Sequence, residues 1–127
     1  ILRNYTSTLY RGMSVSDDVL DILDTGVFVF KKHTSWTKDK KIAEKFVNDP
    51  AFSIYSRASD KKTKIMVEIK PVTSKVILDI DSFVTIFGES QLALLGYDDS
   101  AMDSAFKEKE VLMQKNLKIP KTSYKKI

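Results

Sequence analysis

Cysteine is absent from these 127 residues, and histidine occurs once. The first absence excludes a disulfide scaffold, a zinc ribbon and a cysteine nucleophile together. The second leaves no histidine-based metal site and argues against a Ser-His-Asp hydrolase, because His33 would have to serve alone. Long apolar runs are missing as well. Uninterrupted ones such as Gly26 to Phe30 are only a few residues long, so nothing reads as a membrane span or a secretory hydrophobic region. Internal repeats and low-complexity tracts are lacking too. We therefore expect a soluble protein that acts in a cytoplasm, as a monomer and with no membrane partner. The chain opens on Ile1, from which we expect a longer gene product.

A hydrophobic fraction of 43% beside 30% charged residues describes a globular chain, not a disordered tail. Its length fits a single domain over residues 1–127. The net charge of +4 is too small to argue for nucleic acid by itself. Its distribution says more. Lys31, Lys32, Lys38, Lys40, Lys41 and Lys45 form one basic cluster, and Lys115, Lys118, Lys121, Lys125 and Lys126 form another. Between them Asp98, Asp99, Asp103, Glu108 and Glu110 outweigh Lys107 and Lys109. Separated signs can steer an anionic ligand to one place and a cationic partner to another, although lysine runs are commonly just a solvated face.

The pattern of elements predicts mixed α+β, with two early helices and then several strands. Thr6 to Met13 reads as a strand ending in a turn at Gly12. Ser16 reads as a helix N-cap, followed by Asp17 and Asp18 where the helix dipole favours negative charge. Val19, Leu20 and Leu23 give that helix an apolar face, and Gly26 has the chemistry of its left-handed cap. Val27 to Trp36 reads as one extended run. Thr37 is the expected cap of a second helix that buries Ile42, Ala43, Phe46 and Val47, broken at Asn48-Asp49-Pro50. Ala51 to Lys62 reads as a Ser-rich loop, with a short turn around Phe52 to Tyr55. Strands are expected over Lys64 to Lys70, ended by Pro71, and around Val76, Leu78 and Ile80. Ser82 to Gly96 fits either type. Asp98 to Ala105 reads as an acidic turn region, Glu108 to Gln114 as a strand, and Leu117 to Ile127 as a last strand with Pro120 at an edge.

Three short segments carry chemistry. Leu9-Tyr10-Arg11-Gly12 sets an Arg before a Gly that lets a ligand approach the backbone. Thr34-Ser35-Trp36-Thr37 gathers small hydroxyls where a strand meets a helix. Glu108-Lys109-Glu110 precedes the apolar Val111-Leu112-Met113. On a strand, residues two apart face the same way, so Glu108 and Glu110 would address one cleft. A fixed carboxylate stabilises the oxocarbenium-like transition state of glycosidic C–N cleavage, and Arg offers a donor fork matched to phosphate oxygens.

In this order the three segments resemble the Arg, Ser-Thr-Ser and Glu-x-Glu signature of arginine-specific, toxin-like mono-ADP-ribosyltransferases. The stretch from Thr34 to Phe46 is similar to the Ser-Trp-Thr version of bacteriophage and bacterial members, and the likeness runs from Leu9 to Met113. The resemblance implies a split β-core of two small sheets with flanking helices and an NAD cleft. It implies transfer of ADP-ribose from NAD+ to a protein side chain, arginine above all, with release of nicotinamide and without a metal. The site of action would be a cytoplasm, including that of a host cell reached by a secreted or phage-delivered effector. Residue by residue, Glu110 matches the family's catalytic glutamate and Glu108 the glutamate that engages the incoming guanidinium. Ser35 matches the serine that orients Glu110 and the nicotinamide ribose. Arg11 would hold the donor's phosphate or ribose, and the Gly12 backbone would lie beside the nicotinamide amide. Phe46 falls where relatives stack an aromatic on nicotinamide, although its helical phase also suits plain core packing. Arg57 is a second candidate phosphate clamp. Two departures stand out: the middle hydroxyl is replaced by Trp36, and only ten residues precede Arg11, leaving little chain to cover the donor. Three rivals remain on the residues alone. They are an NAD+ glycohydrolase, a basic nucleic-acid module built on Lys31 to Lys45, and a catalytically dead relative that serves as an interaction domain.

Overall fold

The computed structural model describes residues 7–55, 57, 61–70 and 75–127. Thr6, Pro71 and part of the Ser-rich stretch therefore lie outside the described residues. Among the described residues there are five α-helices and nine strands. β1 (Leu9–Ser16) leads directly into α1 (Asp17–Thr25). Ser16 occupies the N-cap position, but its hydroxyl donates to Asp18 Oδ1 and makes no bond to a helix amide. Val19, Leu20 and Leu23 are buried as their spacing requires, and Gly26 closes the helix at φ 75°.

The expected extended run from Val27 to Trp36 is two strands in different sheets. β2 (Val29–Phe30) pairs with β8 (Leu117–Lys118) as a small ribbon, while β3 (Thr34–Thr37) joins the main sheet. α2 (Lys40–Phe46) follows, capped by Asp39 and not by Thr37, because Asp39 accepts a hydrogen bond from the Lys41 amide at 2.9 Å. Asp49 then caps a 3-10 turn, Pro50–Phe52, before the two-residue β4 (Ser53–Ile54). β5 (Lys62–Ile69) and β6 (Val76–Asp79) carry the alternation seen in the sequence.

The middle of the chain holds more helix than its sequence suggests. α3 (Ile80–Phe87), α4 (Glu89–Leu94) and α5 (Asp99–Lys107) pack around Leu78, Ile80, Leu92 and Ala105 as a second, smaller core. The acidic stretch read as a turn is thus mostly α5, which Asp98 caps through the Ala101 amide. β7 (Glu110–Met113) and β9 (Tyr124–Lys126) complete the sheet, and Pro120 sits between β8 and β9.

The main sheet runs β6-β7-β3-β1-β5-β9, with β4 added in parallel to β1. It is pinched in the middle. β1 pairs with β5 along its whole length, but with β3 only at Tyr10↔Thr37. Farther along, β4 takes over that side of β1 at Ser14 and Val15. The register fixes two faces. Leu9, Arg11, Met13 and Val15 share one with Trp36, Val111 and Met113, over the main core. Tyr10, Gly12 and Ser14 share the other with Ser35, Thr37, Glu110 and Leu112. α2 covers the β1 part of that second face and α3 to α5 cover the β6–β7 part, so the pinch lies between two helical lobes. Among the described residues no helix is long and apolar enough to cross a membrane.

Candidate active site

Ser35 and Glu110 meet because β3 and β7 pair antiparallel. Ser35 stands opposite Leu112 and Thr37 opposite Glu110, which makes Ser35 and Glu110 diagonal neighbours on one face. The Ser35 hydroxyl donates to Glu110 Oε1 at 2.6 Å, joining residues 75 apart in the chain. Trp36, between the two hydroxyl residues, points the other way and is fully buried. Its indole N–H donates to Thr34 Oγ1 at 2.8 Å, and its ring meets Phe30 edge-on at 6.0 Å. An aromatic in the middle of the motif therefore anchors the strand without obstructing the face that carries Ser35 and Glu110.

Arg11 comes from β1, across the pinch. Its Nη1 donates to the Ser35 carbonyl at 2.6 Å, so the two motif residues are physically tied. The guanidinium carbon lies 4.2 Å from the Phe52 ring centroid and 5.4 Å from that of Phe30. Arg11 is only 7% exposed, which excludes the surface salt bridge that an isolated arginine ordinarily makes. Its Nε is buried without a hydrogen-bond partner. Burial pulls the guanidinium pKa down to about 10, and no carboxylate among the described residues offsets that burial.

Glu108 does not lie on the strand. It caps the C-terminus of α5 with helical backbone angles, and Lys109 follows with a left-handed φ of 47°. The two glutamates converge through this turn, and the two-residue strand alternation has no part in it. Both are half-buried. Burial, then the charges of Glu110 and Asp49, push the Glu108 carboxyl above the usual glutamate range. Asp49, exposed where it caps the 3-10 turn after α2, is thus close enough for its charge to act on Glu108. Tyr97, before α5, is half-buried, and its phenol is raised by burial and by the Glu110 charge. Neither Asp49 nor Tyr97 carries a motif. Asp49 reads from sequence as part of a helix breaker, and only the fold brings it to the carboxylates.

Gly12 is not a turn residue. It lies within β1, and a β-carbon there would come 2.0 Å from the Ala43 carbonyl oxygen of α2. Close helix packing accounts for this glycine without a ligand. Phe46 is 5% exposed and stacks on Phe52 at 4.3 Å, which is the core packing its helical phase allows. Arg57 is exposed. The structure thus brings Ser35, Glu108 and Glu110 together, ties Arg11 to them only through the Ser35 backbone carbonyl from the opposite, core-facing side of the sheet, and gives Gly12 and Phe46 packing roles. Among the described residues no group of His, Asp and Glu could hold a metal ion. Lys31, Lys32, Lys40, Lys41, Lys45 and the lysines from Lys115 to Lys126 are exposed, whereas Lys38 pairs with the buried Asp79 at 2.9 Å. Comparison with known proteins finds no matching family model, no matching curated protein and no matching solved structure.

Proposed function

We propose that this chain is an ADP-ribosyltransferase domain that moves ADP-ribose from NAD+ to an arginine side chain of a protein, releasing nicotinamide. The observation that carries the reading is the hydrogen bond from Ser35 Oγ to Glu110 Oε1. The motif resemblance singles out this serine and this glutamate among all the hydroxyls and carboxylates of the chain, and they are in contact. Arg11, the third motif residue, is bonded to the same serine. The pinched sheet supports the split β-core of that family, because β1 and β3 diverge on either side of one paired position.

NAD+ is the donor substrate. Arg11 suits an anionic donor, since it is a buried cation with an unused N–H and no carboxylate partner among the described residues. When the glycosidic C–N bond breaks, nicotinamide leaves with the electron pair and positive charge builds on the ribose. Glu110, oriented by Ser35, opposes that charge. Glu108 accepts from the incoming guanidinium, draws off its proton as nitrogen bonds to the ribose carbon, and so makes a poor nucleophile competent. Action in a cytoplasm, of the producing cell or of a target cell, belongs to the same proposal.

The test is nicotinamide release measured beside transfer of labelled ADP-ribose to agmatine, a small guanidinium acceptor, and to lysate proteins. Glu110→Gln is expected to lower both activities by roughly a hundredfold or more with the fold intact. Glu108→Ala is expected to lose transfer yet keep much of the nicotinamide release, because water needs less help than a guanidinium. Wild-type turnover in Glu110→Gln defeats the assignment. Release of nicotinamide with no transfer to any guanidinium replaces the transferase with a glycohydrolase.

A further inference from the structure

Lys109, between the two glutamates, is one of two side-chain-bearing residues with a left-handed backbone among those described. Such a conformation persists only where its surroundings impose it. Two sets of contacts do so. From α5, the Glu108 and Lys109 amides donate to the Ser104 and Phe106 carbonyls at 3.0 and 3.2 Å. From the opposite lobe, the Asp39 carboxylate lies 3.6 Å from the Lys109 ammonium. Asp39 is itself fixed, because it caps α2 through the Lys41 amide and donates its own amide to Thr37 Oγ1 at 3.1 Å. Thr37 stands opposite Glu110 in the sheet. The strand pair and the ion pair therefore close a ring that runs from Glu110 through Thr37, Asp39 and Lys109 back to Glu110.

We propose that the Lys109–Asp39 ion pair is a latch between the two lobes that positions the Glu108–Glu110 turn and draws the lysine ammonium away from both carboxylates. Lys109 and Asp39 are then positioning residues, and the inference rests on the transferase reading. Partial desolvation raises the Asp39 carboxyl, but the Lys41 and Ile42 amides and the Lys109 ammonium together hold it below the usual aspartate range. An anionic partner for Lys109 is thereby kept available. Without it, the ammonium is free to neutralise Glu108 and compete with the guanidinium that Glu108 must receive.

Asp39→Asn keeps a capping oxygen for α2 and removes the charge. Lys109→Met removes the ammonium at similar length, and Lys109→Arg restores a cation. Each is assayed for kcat and KM with agmatine and NAD+, for thermal melting, and for hydrogen exchange of the amides from 108 to 110. Asp39→Asn and Lys109→Met are each expected to lower kcat for transfer about three- to tenfold and to speed exchange at the turn, because small misplacements of reacting groups are costly. KM for NAD+ should hold, Lys109→Arg should retain activity, and the double variant should lose no more than either single one. Unchanged exchange at the turn, or losses that multiply in the double variant, overturn the latch. So does a fall in melting temperature that tracks the fall in kcat. A wild-type protein that releases no nicotinamide overturns the transferase reading instead, and exchange in Asp39→Asn still decides the latch.

Discussion

Arg11 carries a buried charge at a cost. Burial alone pulls its pKa down to about 10, which corresponds to about 3 kcal/mol of lost solvation. A domain of this size has on the order of 10 kcal/mol of net stability, so a buried cation with no carboxylate partner among the described residues calls for a purpose. Because the shift is downward in a base, the cost is fully present at any pH below about 10 and gives no slope across neutrality. Arg11→Met removes the charge and keeps bulk against Phe52 and Phe30. Its melting temperature is expected to equal or exceed wild type while nicotinamide release falls roughly tenfold or more. Arg11→Lys retains the charge and loses the fork, so calorimetric titration should show weaker NAD+ binding with little change in melting. A clear loss of stability in Arg11→Met with activity intact would make Arg11 a structural brace for the Ser35 strand and nothing more. Glu108 behaves in the opposite way. Its pKa is raised by burial and then by Glu110 and Asp49, so the folded chain keeps that proton to higher pH than the unfolded chain. Stability therefore falls, and transfer rises, as pH climbs through the window just above the ordinary glutamate value. Glu108→Gln should flatten both limbs, read by melts and by label transfer across that window.

Among the elements, β1 and α2 explain each other. Gly12 interrupts an otherwise good strand, and in sequence Tyr10-Arg11-Gly12-Met13 looks like the end of one. The strand continues because the missing β-carbon makes room for the Ala43 carbonyl of α2, and Ser14 Oγ secures the same helix by donating to the Val47 carbonyl at 2.7 Å. A single sequence does not distinguish a glycine that turns from a glycine that is overlaid. Gly12→Ala is expected to cost about 3 kcal/mol by overpacking, a drop of roughly 10 °C in melting temperature. A melt within a degree or two of wild type would mean α2 can shift without cost. α5 was hidden for a different reason. Its Ser and Asp residues favour turns locally, and only Met102, Ala105 and Phe106 carry the helical period that packing against Leu78, Ile80 and Leu92 rewards. That misreading also set Glu108 on a strand. By contrast, the alternation of Val111 and Met113 and the apolar face of α1 were legible, because each depends only on local period and burial. The contact between Ser35 and Glu110 was not, since no local pattern pairs residues so far apart. It followed from the motif resemblance alone.

For the whole molecule, the arrangement of charge matters more than its sum. The chain is net positive and most of its clustered lysines are exposed, with Lys38 and Lys40 beside Tyr10 at the pinch, while Glu110 and Asp49 both act on Glu108. Under the proposed function a guanidinium approaching Glu108 would meet three carboxylates of which two, Glu108 and Glu110, are half-buried, where lower dielectric strengthens their pull. Under the proposed function the donor would meet the opposite sign, in the Arg11 guanidinium held by the Ser35 carbonyl and two rings. Steering of this kind acts on encounter and is screened once the Debye length shrinks below about 10 Å. Transfer to a cationic acceptor should therefore lose kcat/KM several-fold as ionic strength rises from low salt to about 0.3 M. Nicotinamide release without acceptor, which needs only water, should change far less. Asp49→Asn should reduce the salt slope of transfer and leave the acceptor-free reaction alone. Equal salt slopes for the two reactions would mean that the acidic cleft does not receive the acceptor, and that Glu108 serves the donor side with Glu110.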